Sequence, residues 1–233
     1  MPKRAPRSFG MMLAGLALAA SGGMAQAADC RDTPEPQRDW SGCNRSNIMI
    51  NGANLEQADL RGTDLGLSNL DAAVLKGANL EGAKLGRTSL AGAVADGANF
   101  TQAEGYRTNF SGVLANGASF RGAELQRSNF TKAALAGASF EKAELGRVDF
   151  TGATLGGNVF AYANLARAKL KGVSTSGPLD FRGAYLFLTR IEGADLSMAT
   201  GLVQTQVDLA CGDGDTKLPA GLVTPSAWPC RFD

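Results

Sequence analysis

Gly52-Ala53-Asn54-Leu55-Glu56 and Gln57-Ala58-Asp59-Leu60-Arg61 follow one another without a break, and the same five-residue phrase runs on for most of the chain. From Ile50 to Leu170, each multiple of five carries a residue for an inward place: 14 of these 25 are Leu and 7 are Phe. The other four are Ile50, Ala95, Gly105 and Ala115. Two places earlier, 16 of 25 residues are Ala, and most of the rest are Thr, Ser or Val. Side chains that small fit beneath the next turn of chain. A period this short predicts a solenoid rather than a globular core.

The phrase resembles the pentapeptide-repeat family, A-(D/N)-L-x-x, over roughly Ile48 to Gly201. The resemblance implies an all-β fold, a right-handed quadrilateral parallel β-helix closed by short capping segments. It also implies that four repeats make one coil, so that residues 20 apart stack on one face. The phenylalanines fit that arrangement: Phe100, Phe110, Phe120, Phe130, Phe140, Phe150 and Phe160 would line two opposite walls. Where the remaining walls carry Ala95, Gly105 and Ala115, Phe fills the volume that Leu fills in the coils from Leu55 to Leu90. No ligand cavity is expected inside.

Ahead of the repeats stand Lys3, Arg4 and Arg7, an apolar stretch from Phe9 to Ala20, and Ala25-Gln26-Ala27, the pattern of a cleaved secretory signal peptide over residues 1–27. The stretch is shorter than the roughly 20 residues of a spanning helix. No membrane span is expected in the mature protein, and Asp29 before Cys30 is a poor match to a lipobox. Taking those three basic residues from the chain's 23 leaves 20 against 22 acidic ones, a formal charge of −2. The expected location is the periplasm or the cell exterior.

The cysteines agree with export. Cys30, Cys43, Cys211 and Cys230 all follow the cleavage point and lie outside the repeats. Four cysteines allow three pairings. At ~20 residues and ~4.8 Å per coil, however, the intervening solenoid is ~35 Å long, and a disulfide needs Cα atoms within about 7 Å. Within one chain that leaves Cys30–Cys43 and Cys211–Cys230, one bridge at each end, and it excludes a four-thiolate metal site.

Stacking sorts the outward residues into columns. Arg87, Arg107, Arg127, Arg147 and Arg167 recur every 20 residues, with Glu104, Glu124 and Glu144 three places before their own arginines. This arrangement reads either as a self-neutralising, solvated ladder or as a linear site for a polyanion such as an envelope glycan or lipid head group. On the opposite face Val74, Val94, Leu114 and Ala134 point outward, beside an edge of Gly77, Gly97, Gly117, Gly137 and Gly157. Contiguous apolar patches mark contacts more often than isolated apolar residues do, so Val74, Val94 and Leu114 are the candidate contact face. The alternative is that Val and Leu there only suit a β-like position.

The period slips by one residue across 171–180, through Gly172-Val173-Ser174-Thr175-Ser176-Gly177-Pro178, and resumes at Phe181, Leu186, Ile191 and Leu196. Such an insertion reads as a bulge or a protruding loop. The expected divisions are an N-terminal cap over 28–47, the repeats over 48–201, and a C-terminal cap over 202–233. A short helix from Gln204 to Cys211, ended by Gly212, opens that last cap. Both Asp39-Trp40-Ser41-Gly42-Cys43 and the tail containing Ala210-Cys211-Gly212-Asp213-Gly214-Asp215 with Trp228-Pro229-Cys230 resemble the ends of exported bacterial pentapeptide-repeat proteins. Asp213 and Asp215 offer too few oxygen ligands for a calcium loop.

An enzyme is not expected. The chain has no histidine, so histidine triads, proton shuttles and histidine-ligated metals are excluded. No P-loop or metal-ligand cluster is present, and no catalytic residue, cofactor or metal is assigned. The expected function is a non-catalytic binding or scaffold module for a protein or envelope component, or for a second copy of itself. The alternative implied by the wider family is a DNA mimic acting on a topoisomerase. Near-neutral charge, the arginine column and the export signal oppose that role, and nucleic acid is not an expected partner.

Overall fold

The computed structural model describes Met1 and residues 29–230, so the signal-peptide segment, Met1 apart, lies outside the described residues. The chain winds as a β-solenoid. Residues 20 apart are joined by parallel bridges, four to each coil: Asp39↔Asp59, Asn44↔Asp64, Met49↔Asn69 and Asn54↔Val74, continuing to Asp149↔Lys169. Among the described residues only β1 (Thr154–Leu155) and β2 (Ser174–Thr175) lengthen into strands, paired in parallel with Thr154 opposite Ser174.

Each repeat is a bridge residue, a buried residue and a tight turn. The turn closes when the N–H of the small residue donates to the carbonyl of the large one three places back, as Ala78 does to Leu75 at 2.9 Å. Its third residue is left-handed at every fifth position from Gln37 to Gly172. Glycine takes that conformation freely. Where Arg, Lys or Gln stands there instead, the local strain is outweighed by the coils on either side.

The core is a single column of these inward residues. Phe100, Phe120, Phe140, Phe160 and Phe181 stack face to face, with centroids 4.8 to 5.4 Å apart. Phe110, Phe130 and Phe150 form a second stack at 4.5 and 5.2 Å. The two stacks meet edge to face near 5.8 Å, as Phe100 does with Phe110. Gly105 has a physical reason: a Cβ there would lie 2.6 Å from Cδ2 of Leu125, which occupies the space above it.

The coils begin earlier than residue 48. Asp39 already bridges to Asp59, and Trp40 holds an inward place with no exposure, so much of the segment assigned to an N-terminal cap is the first coil. Arg45, which breaks the apolar period, lays its guanidinium 4.0 Å from the Trp40 ring centroid and donates to the carbonyls of Cys30 and Asp32. The cap proper is the short run before Gln37, tied down by the Cys30–Cys43 bond with Cα atoms 5.4 Å apart.

At the slip, bridges change from 20 to 21 residues, as in Val159↔Asp180 and Lys169↔Arg190. Because Thr154↔Ser174 still spans 20, the added residue lies between Thr175 and Asp180. It is a bulge rather than a protruding loop: Leu179 is buried, and Ser176 and Gly177 lie against Gly156 of the coil before.

The C-terminal helix is shorter than expected. α1 spans Gln204–Val207 and ends at Asp208, because Cys211 must return to extended backbone to bridge Arg190. Gly212 therefore does not end the helix. Its absent side chain admits the Trp228 ring, which would stand 2.3 Å from a Cβ, and Trp228 Nε1 donates to Ala210 O at 2.7 Å. The Cys211–Cys230 bond, with Cα atoms 5.5 Å apart, fastens this cover. Lys217 bridges back to Asp195, whose carboxyl is drawn down to about 2 by hydrogen bonds from Ser197 and Lys217.

Candidate functional site

The apolar residues form one unbroken column, Val74↔Val94↔Leu114↔Ala134, held by consecutive bridges. Leu114 is 44% exposed and the other three are half-buried. The column is one side chain wide. Asn54 ends it below and Thr154 above. Its far edge is low, because Gly77, Gly97, Gly117, Gly137 and Gly157 are all left-handed and carry no side chain. Between the column and that edge Asn116 donates to Asp96 through both its backbone N–H and Nδ2, at 2.8 and 2.9 Å, and accepts from the Ala136 N–H.

Half a coil away stands the arginine column. All five arginines are exposed and all five occupy the left-handed turn position, with φ between 57° and 61°. They are not a self-neutralised ladder in the sense of close ion pairs: among the described residues none has a carboxylate within 4.0 Å. A buried residue and a turn residue separate each bridge-position glutamate from its arginine, so the two columns run side by side without meeting. Arg107 and Arg127 instead flank the Tyr106 ring, at 5.2 and 6.0 Å from its centroid.

Beneath this corner lies a feature that size alone does not reveal. Thr88, Thr108 and Ser128 are buried small-position residues, and each hydroxyl donates at 2.6 Å to a carbonyl 23 residues back, Leu65, Leu85 and Gly105 in turn. Each such bond joins two coils under the arginine column. Thr108→Val, which keeps the shape and removes the donor, is expected to lower stability by about 1 kcal/mol. Thr108→Ser should lose less, as measured by chemical denaturation of both variants.

Three features of the glutamate face escape a reading by period. A groove of about 300 Å³ is lined by Asp64, Gly66, Lys84, Gly86, Glu104, Tyr106 and Glu124. Tyr106 is 43% exposed. Two coils past Glu144, the slip brings Tyr185 and Phe187 into the same columns, 49% and 38% exposed, with ring centroids 6.1 Å apart. The groove is wide open; Glu104 and Glu124 are exposed and Asp64 is half-buried. Among the described residues, no group of His, Cys, Asp or Glu is placed to hold a metal ion, and no helix is long and apolar enough to cross a membrane.

These features define a repeat solenoid of stacked 20-residue coils whose outward residues form continuous columns. The chain belongs to the pentapeptide repeat family: eight copies of the family's "Pentapeptide repeats" model match, between them spanning residues 39–174. Among solved structures it is similar to HetL, a pentapeptide repeat protein involved in heterocyst differentiation regulation from the cyanobacterium Nostoc. That match has 26% identity and a TM-score of 0.53, over 84% of this chain and 89% of that one. It is also similar to QnrB1, a plasmid-mediated fluoroquinolone resistance protein, at 22% identity and TM-score 0.40 over 77% and 84% of the two chains. A pentapeptide repeat protein of the Arabidopsis thaliana thylakoid lumen matches at 22% identity and TM-score 0.36, over 59% and 80%. No curated protein matches.

Proposed function

We propose that this protein is an exported, non-catalytic scaffold, a right-handed quadrilateral β-helix that presents the Val74, Val94 and Leu114 column to a protein or envelope partner. The observation that carries this reading is the column itself. Bridge positions elsewhere along the repeats are mostly Asn, Asp, Ser, Glu or Lys, whereas here three successive coils place Val, Val and Leu outward in mid-rod. Export is supported by the hydrophobic leader and by a disulfide at each end, which oxidising compartments favour.

Imitation of DNA fits this chain less well. A duplex presents uninterrupted negative charge, whereas each coil from Gly86 to Arg167 carries an outward arginine. A polyanion laid on those arginines would also run beside Glu104, Glu124 and Glu144.

Leu114→Glu tests the contact column. The bridge position is exposed, so the variant should fold with an unchanged melting temperature and lose at least about tenfold in partner affinity, since a charge is forced into an apolar contact. Pull-down from the host envelope with wild-type and variant protein provides the comparison. Undiminished recovery of the same partner by the variant would sink the reading.

A further inference from the structure

We propose that the glutamate and arginine columns form a self-complementary interface, and that two copies of the chain lie side by side, parallel and in register, about a two-fold axis running along the rod. This interface lies half a coil from the Val and Leu column and leaves that column free, so it goes beyond the scaffold reading.

Symmetry decides the arrangement. A two-fold axis crossing the rod would set each column against itself, glutamate on glutamate and arginine on arginine. An axis along the rod exchanges the columns instead. Glu104 then faces Arg107 of the second copy, Glu124 faces its Arg127, and Glu144 faces its Arg147, each pair occurring twice. The carboxylates and guanidiniums are exposed and free of close ion pairs with one another within the chain, so they are available for these partners.

The rest of the face agrees with the parallel arrangement. Asn164 stands opposite Arg167 without like-charge conflict. In the next coil Tyr185 faces Leu188 of the second copy, and Phe187, in the column between, meets its own counterpart, which places apolar anchors at one end of a charged strip. Between the columns Gly66, Gly86, Gly146 and Ala166 carry little or no side chain, while Tyr106 and Gln126 fill the two middle coils, where the axis sets each against its own counterpart in the second copy. One position is mismatched: Lys84 faces Arg87 at the N-terminal margin.

The occupant is a second copy rather than a polyanion because the face presents both signs in alternating columns, and only a partner with the same two columns at the same coil spacing matches both. Attraction between exposed charges is screened within a Debye length of about 8 Å at physiological salt. The dimer should therefore weaken steeply as salt is raised.

Sedimentation velocity on the disulfide-bonded protein tests this arrangement with two reversed variants. One carries Arg107→Glu, Arg127→Glu and Arg147→Glu; the other carries Glu104→Arg, Glu124→Arg and Glu144→Arg. Wild-type protein should dimerise at low salt and lose about tenfold or more in affinity by 0.5 M salt. Each variant alone should sediment as a folded monomer, with circular dichroism as the folding control. An equimolar mixture of the two should recover the dimer, because every facing pair is again opposite in charge.

Lys84→Glu, which completes the acidic column, should tighten the dimer about fivefold. The same change should weaken any binding of dextran sulfate. Wild-type protein that stays monomeric at low salt, or a mixture that does not pair, would overturn the proposal. So would dextran sulfate binding without dimers.

Discussion

Phe120→Ala is expected to cost about 3–5 kcal/mol, among the largest effects of any single substitution in the rod. Phe120 is fully buried and stacks on Phe100 at 4.8 Å and on Phe140 at 4.9 Å. It also meets Phe110 and Phe130 edge to face at 5.8 and 5.5 Å. Four aromatic contacts are lost together. The space cannot collapse, because the backbone on each side is fixed by bridges such as Asn99↔Ser119 and Ser119↔Ser139. Phe120→Leu should cost less than half as much, since the coils from Leu55 to Leu90 show that Leu fills an inward place. In a solenoid the loss is felt first by neighbouring coils, so hydrogen exchange should rise most between residues 100 and 140. Equal costs for Ala and Leu at this position would contradict the packing described.

The second large effect concerns the C-terminal cover. Replacing Cys211 and Cys230 together by Ser is expected to cost about 3 kcal/mol, the usual magnitude for a crosslink closing a loop of this length. The consequence is directional. Trp228 is seated in the gap left by Gly212, so releasing it exposes the end of the core near Ile191 and Leu196, and the rod should fray from that end. Exchange should rise over Leu186–Trp228 and remain unchanged over Leu55–Leu90. Gly212→Ala, which drives a methyl into the Trp228 ring, should reproduce the fraying with the disulfide intact.

The fold was legible because each residue of the repeat has one task. A Leu or Phe every fifth place and a small residue two before it define the buried column, and no distant pairing has to be guessed. The ends were less legible because there single residues carry two roles. Arg45 stands in an inward place and so hides the first coil, since its charge is accommodated by Trp40 and two cap carbonyls rather than by burial. Cys211 belongs both to a disulfide and to a bridge with Arg190, which cuts the helix to one turn. The left-handed setting of the arginines had a visible signal, since glycine holds the same repeat position in many other coils. Tyr185 and Phe187 were hidden by the one-residue slip, which moves them out of step with Glu104 and Tyr106 by number while leaving them in the same columns.

Both surfaces can be addressed in one experiment. A photo-crosslinking amino acid at position 114, with a second variant at position 127, should be introduced in the native host and every adduct identified. The expected result is a discrete adduct with another envelope or secreted component from position 114, and an adduct between two copies of this chain from position 127. Absence of any adduct at 114, with the protein folded and exported, would contradict the assignment of the Val and Leu column as the surface through which this solenoid works.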